Sequence, residues 1–246
     1  MAQLLVSSAL RTGFEGDLMV FTNADHRLFE FGRDRLQEIA VAPEMEISNE
    51  TARSGKSFKF LARNYIDAKA YDTIMFADCD ALFLKNPDEL GPEDAQGITY
   101  AIEPDSYARP TDEWHCGYLT DAEMKEPRAA INSGLWRIGG GIYSEVMQQW
   151  EEVCARPAPR KHACTDQSAW IRVVLDSAYA PRPFHQPGAI RYPFFERGTM
   201  HEFESARFLH FAGMDAATKL SYMVSTYLRR FCPAATHVLF DSLTMA

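Results

Sequence analysis

Residues 71–87 read YDTIMFADCDALFLKNP, and this stretch restricts the fold more than any other. Thr73–Ala77 is a short apolar run of the kind that forms a strand buried on both faces. The run stops at Asp78-Cys79-Asp80, and Ala81–Leu84 is apolar again. Along a strand successive side chains point to opposite faces, so Asp78 and Asp80 project the same way and Cys79 points into the packing. Two adjacent carboxylates repel each other, and a divalent cation ligated by both relieves that repulsion. Oxygen ligands favour magnesium, manganese or calcium over zinc. An isolated Asp-X-Asp is commonly a solvated turn. Here apolar runs on both sides place the pair at the C-terminal end of a buried strand, where open α/β sheets bind their ligands.

The surrounding chain alternates between the two periodicities. Gln3–Arg11 has the spacing of a helix with one buried side, and Asp17–Thr22 reads as a strand. Asn23–His26 is turn chemistry, Leu28–Ile39 reads as helix and Ala40–Ala42 as a short strand. Helix returns over about Lys56–Ala68, where Lys59 and Arg63 fall four apart on one face. After the acidic pair, Gly97–Ile102 reads as a strand with Glu103 and Asp105 just beyond its end. Tyr107–Pro127 is polar and turn-rich, a loop able to close over a site. A strand with an antiparallel piece is expected near Ile131–Ile138. A helix follows over Ile142–Val153, then a Pro-rich connector over Ala155–Arg160. Thr165 can cap a helix running to about Leu175. Ala178–Tyr192 reads as irregular, Arg207–Phe211 as a strand and Ala216–Phe231 as a final helix. Strands alternating with helices predict an α/β fold, an open and largely parallel sheet with helices on both faces. No linker divides the 246 residues, so one domain over 1–246 is expected.

Composition narrows the partners. A net charge of −9 disfavours a nucleic-acid backbone or an anionic membrane as partner for the whole surface. Five cysteines, odd in number and without a C-x-x-C pair, argue against a disulfide framework or a structural zinc site and fit a reducing compartment. No apolar run is long enough to span a bilayer, and the N-terminus has no signal-peptide pattern. The expected setting is cytoplasmic.

Four blocks in order, YDTIMFADCDALFLKNP, INSGLWRI, TDQSAW and LHFAG, resemble the retaining glycosyltransferases of the GT-A fold. The likeness is to family 8, the group of glycogenin and the bacterial lipopolysaccharide galactosyltransferases, and it runs from about residue 3 to about residue 220. The helix Ser57–Ile66 is similar to the basic-residue helix that precedes the acidic pair there. The resemblance implies that Asp78 and Asp80, with His210 as third ligand, hold Mn²⁺ or Mg²⁺ against the diphosphate of a nucleotide sugar, a UDP-linked one. It also implies that Gly213 brings backbone N–H groups to a phosphate, and that Asn132 and Ser133 lie at the sugar edge of the site. Asp166 then binds the donor sugar and Gln167 lies near the anomeric carbon. Arg63 and Lys59 are basic partners for phosphate or Asp80, or else a solvated helix face. The acceptor is a carbohydrate or another hydroxyl compound.

Two departures accompany the likeness. The family's diphosphate lysine lies six residues after the histidine, where this chain has Ala216. The first lysine is Lys219, which serves if the turn bulges and is otherwise a surface residue. Family members also open with a strand ahead of the first helix, whereas this sequence opens with the helix. Either residues lie upstream, or the domain lacks its base-binding edge. Two other readings stay open, a nucleotide-sugar-binding protein without turnover and a metal-dependent nucleotidyltransferase or phosphohydrolase. Glu103 and Asp105 suit an acceptor or merely end a strand. Trp114, Tyr118 and Trp136 suit sugar stacking or the core. His115 and His185 have no assigned role.

Overall fold

The computed structural model describes residues 1–22, 36–40, 58–91, 96–103, 117–125, 130–160, 165–184, 189–196, 203 and 205–233. Several expected features lie outside them: the Asn23–His26 turn, the first part of the Leu28–Ile39 helix, Asp105, most of the Tyr107–Pro127 loop with Trp114 and His115, and His185.

The elements in chain order are α1 (Ala2–Arg11), β1 (Leu18–Thr22), β2 (Leu36–Ala40), α2 (Phe58–Leu61), β3 (Thr73–Ala77), β4 (Ala81–Phe83), β5 (Ile98–Ile102), β6 (Ile131–Gly139), α3 (Gly140–Ala155), α4 (Thr165–Asp176), β7 (Arg182–Pro183), β8 (Ile190–Arg191), α5 (Pro193–Glu196), β9 (Phe208–His210) and α6 (Ala216–Phe231). The alternation makes the α/β fold that the sequence predicts, with open sheets and packed helices. Strand β1 pairs with β2, a four-stranded sheet runs β3-β6-β5-β7, and a three-stranded sheet runs β4-β9-β8.

Parallel pairs (β1–β2, β5–β7, β8–β9) are balanced by antiparallel ones (β3–β6, β5–β6, β4–β9). The antiparallel piece expected near Ile131–Ile138 is therefore longer than predicted and lies inside the main sheet. All nine residues of β6 are buried, which fits a strand paired on both edges and covered on both faces. The end of the range read as helix to Ile39 is strand over Leu36–Ala40, where pairing with β1 supplies its backbone partners.

Side chains alternate across the β3–β6–β5 sheet, and each face has its own core. Ile74, Phe76, Tyr100, Trp136 and Ile138 face α3 and α4, where Trp136, Trp150 and Trp170 meet with centroids 4.7 Å apart for the closest pair. Met75, Ala77, Ala101 and Leu135 face the other way, onto α1, β4 and Phe208. Helix α6 closes a third cluster, with Met223 and Tyr227 against Leu82, Leu84 and Leu209. Trp136 is thus a core residue and not a sugar platform. Tyr118 packs beside the same core, its hydroxyl donating to the Arg156 carbonyl at 2.9 Å.

This layering places two chain breaks together. Strand β3 ends at Ala77 and β4 begins at Ala81, so Asp78–Asp80 is the crossing from the main sheet to the small one. Strand β9 runs antiparallel to β4 with Ala81 opposite His210. The pairing brings residue 210 to the acid turn across about half the chain.

Candidate metal centre and its amide wall

The acid turn is pinned by backbone bonds on both sides. The Asp78 N–H donates to the Gly134 carbonyl at 2.8 Å, and the Asp80 carbonyl accepts from the Phe211 N–H at 2.9 Å. The turn departs from strand alternation, so Cys79 is exposed and does not enter the packing, contrary to the sequence expectation. Both carboxylates nevertheless converge on one imidazole. His210 Nε2 lies 3.3 Å from Asp80 Oδ1 and 3.7 Å from Asp78 Oδ2. One ligand atom from each of Asp78, Asp80 and His210 lies within 4.8 Å of the others.

Two carboxylates and an imidazole, each offering one ligand atom, are a donor set that suits a divalent metal ion. The backbone is shaped to fit them, since a Cβ built on Gly134 would lie 2.3 Å from His210 Cε1 and 2.7 Å from Asp78 Oδ2. By chemistry and by space the three residues fit a divalent cation.

His210 is 3 % exposed and rests between Tyr192, 5.5 Å away by ring centroid, and Phe208. Burial, with the charges of Glu103, Asp78 and Glu196, pushes the Tyr192 phenol well above its ordinary pKa, so it stays a neutral O–H. Sequence reasoning missed Tyr192 because it ends a proline-rich stretch with no periodicity to read.

Two ammonium groups balance the acids. Lys219, in the first turn of α6, reaches Asp80 Oδ2 at 2.5 Å. Burial raises the Asp80 pKa, but His210 and Lys219 outweigh it and hold the carboxyl well below the ordinary range. The turn that carries Lys219 there contains Gly213 at φ +83°, a left-handed conformation suited to glycine. Asp215 then caps α6 by accepting from the N–H groups of Ala217 and Thr218.

The second ammonium is Lys59, not Arg63. Lys59 is 8 % exposed, and its Nζ lies 3.2 Å from Asp78 Oδ1, 3.2 Å from Asp166 Oδ2 and 3.2 Å from Ser133 Oγ. Arg63 turns the other way, pairing with Glu151 on α3, and the structure does not bring it to the acid turn. The reason is local: α2 ends at Leu61 and tightens into a 3₁₀ turn over Ala62–Asn64, so the four-residue spacing no longer keeps both side chains on one face.

Beyond Lys59 lies a wall of buried polar groups. Asp166 and Gln167 occupy the first turn of α4 and are 4 % and 6 % exposed. Asn132 and Ser133 enter from β6, and Glu103 from the end of β5, also 3 % exposed. Glu103 therefore does not stand in solvent as an acceptor-binding acid would. Its Oε1 accepts from Asn132 Nδ2 at 2.6 Å and from Gln167 Nε2 at 3.0 Å.

Removing the imidazole tests the cluster most simply. His210→Ala is expected to weaken Mn²⁺ binding by about tenfold or more, the range seen even for groups that only support a ligand. Titration of Mn²⁺ followed by electron paramagnetic resonance reads this directly, and undiminished affinity would assign His210 to the core alone.

No protein-family model matches the sequence, and no curated protein matches it. The fold does have solved relatives. Over 94 % of its length the chain is similar to the apo structure of WbbM, a bifunctional glycosyltransferase, with TM-score 0.55 and 10 % identity. The chain spans about half of that structure, 47 %. At this identity the likeness establishes architecture: the chain has a glycosyltransferase-like, Rossmann-type α/β fold.

Proposed function

We propose that the protein is a divalent-metal-dependent glycosyltransferase that moves a sugar from a nucleotide-diphosphate donor, UDP-linked in our reading, to a hydroxyl acceptor. The observation that carries the proposal is the convergence of Asp78, Asp80 and His210 on one point at the crossing between two sheets. The family 8 likeness of the four sequence blocks and the glycosyltransferase-like fold support the same reading.

Asp78, Asp80 and His210 would hold Mn²⁺ or Mg²⁺, which would supply Lewis-acid neutralisation of the departing nucleoside diphosphate. Lys219 and the backbone N–H groups around Gly213 add positive charge to the same diphosphate. Asp166 accepts hydroxyls of the donor sugar, and Gln167 lies beside its anomeric carbon. Because Asp166 is buried and held by the Lys59 ammonium, it is a poor nucleophile. Retention, which the family 8 likeness implies, would then run by a front-face substitution in which the acceptor hydroxyl replaces the diphosphate and passes its proton to a phosphate oxygen.

The test is a screen of UDP-sugars with manganese, following UDP release, with Asp80→Asn as its control. The substitution keeps shape and removes a charge. It is expected to lower manganese-dependent UDP affinity by about 10- to 100-fold in calorimetry. Release of pyrophosphate or phosphate in place of UDP, or full affinity in the variant, would overturn the reading. Among the described residues no helix is long and apolar enough to cross a membrane.

A further inference from the structure

We propose that Glu103 is a positioning residue for this reaction: through two hydrogen bonds its buried carboxylate holds the amides of Asn132 and Gln167 in one rotation each. The inference rests on the reading of Gln167 as the amide beside the anomeric carbon.

A side-chain amide has nearly the same shape after its oxygen and nitrogen change places, so packing alone does not choose between the two rotations. A carboxylate does choose, because it only accepts hydrogen bonds. Glu103 Oε1 takes one N–H from Asn132 at 2.6 Å and one from Gln167 at 3.0 Å. Turning either amide over would set oxygen against oxygen in a buried space, a costly arrangement.

Asn132 is fixed a second time. Its Oδ1 accepts from the Gly134 N–H at 2.7 Å, and Gly134 in turn accepts from Asp78 N–H at 2.8 Å. The remaining contact of the Asn132 amide is Gln167 Oε1 at 3.4 Å. A continuous chain of bonds thus runs from the backbone beside Asp78, through Asn132 and Glu103, to the amide of Gln167. Glu103 itself is anchored by its own N–H, which donates to the Ala130 carbonyl at 2.8 Å. The group that would stand at the reacting carbon is oriented from the strand that holds the acid turn.

The arrangement allows a rescue test on the full chain. Both N–H groups meet one oxygen, so Glu103→Gln keeps an acceptor for them; Glu103→Leu instead removes that acceptor, and Gln167 loses its fixed rotation. Mn²⁺–UDP affinity is expected to stay within about twofold, because the metal end is untouched. Turnover of the donor found in the screen is expected to fall about thirtyfold in kcat, with KM within about threefold, as a misplaced group requires.

Glu103→Gln is the rescue: it removes the charge as Glu103→Leu does but keeps an oxygen able to accept from both Asn132 and Gln167. It is expected to recover at least about tenfold of the kcat lost in Glu103→Leu. A second readout needs no turnover: the Gln167 side-chain N–H₂ signals in a ¹⁵N correlation spectrum should shift in Glu103→Leu and return in Glu103→Gln.

An unchanged kcat in Glu103→Leu, a loss that parallels lost UDP affinity, or a Glu103→Gln variant no faster than Glu103→Leu would overturn the positioning role. Wild-type protein that releases no UDP from any UDP-sugar would instead overturn the transferase reading. In that case unshifted Gln167 signals in Glu103→Leu would reject the orienting contact on its own.

Discussion

Gly134→Ala is expected to abolish manganese binding while leaving most of the fold standing. The added methyl would sit 2.3 Å from His210 Cε1, 2.7 Å from Asp78 Oδ2 and 2.8 Å from Asn132 Oδ1. Real Cβ contacts do not come so close, so a neighbour must move. Gly134 lies in the bulge of β6, outside the paired register, but its backbone is tied at both ends: its carbonyl accepts from Asp78 N–H and its own N–H donates to Asn132 Oδ1. His210 is wedged between Tyr192 and Phe208, and Asn132 is bonded at both ends of its amide. Asp78, with a side chain 27 % exposed, is the group with room to swing away. Its departure breaks the cluster of ligand atoms. Overpacking of this kind costs about 1–3 kcal/mol, against a loss of Mn²⁺ affinity of about a hundredfold or more, beyond the range for a merely displaced supporting group. Gly141→Ala is the matched control. That position is exposed near the start of α3, and the nearest atom to a built Cβ is Gln96 Nε2 at 3.9 Å. It should gain up to about 1 kcal/mol from helix propensity and bind manganese as wild type does. A melt and a manganese titration on both variants decide the matter, and normal binding by Gly134→Ala would refute the close-packed site.

What the sequence revealed of this site follows from how each residue is held. Asp78 and Asp80 were legible because an apolar strand leads directly into them, and β3 occupies the range read for it, Thr73–Ala77. Helix α6 likewise spans Ala216–Phe231 as read, bounded by a capping aspartate and a basic last turn. His210 was legible only through the likeness of a short block, since its meeting with the acid turn depends on β4–β9 pairing, a contact over more than a hundred residues. Lys59 and Arg63 were indistinguishable by period, and a switch from α to 3₁₀ geometry sends them in different directions. Glu103 read as an acceptor-binding acid or a plain strand end, because a sequence shows no sign that two amides from β6 and α4 will close over it. Cys79 misled for the converse reason: alternation holds within a strand, and the chain had already left the strand.

Lys59→Met is expected to destabilise the fold more than any other single change at the site, by about 3–5 kcal/mol, the cost of removing one partner from a buried ion pair. The ammonium is shared by Asp78, Asp166 and Ser133, and the Lys59 and Asp166 side chains are 10 % and 6 % exposed. Methionine keeps much of the aliphatic stem and its packing, so the loss reports chiefly on charge. A smaller part is the attraction between Nζ and the Phe76 ring, 5.5 Å from its centroid. The decisive measurement is a double-mutant cycle in urea. If the ammonium compensates Asp166, then Asp166→Asn in the Lys59→Met background should restore part of the loss, with a coupling of about 1–3 kcal/mol. Saturating manganese should also raise the melting temperature of Lys59→Met more than that of wild type, because binding to the native state alone adds stability where an unbalanced acid pair is the weak point. Additive effects of the two substitutions, together with a Lys59→Met loss below about 1 kcal/mol, would show that Lys59 behaves as an exposed ion pair. The charge balance of the centre would then have to come from Lys219 and the cation alone.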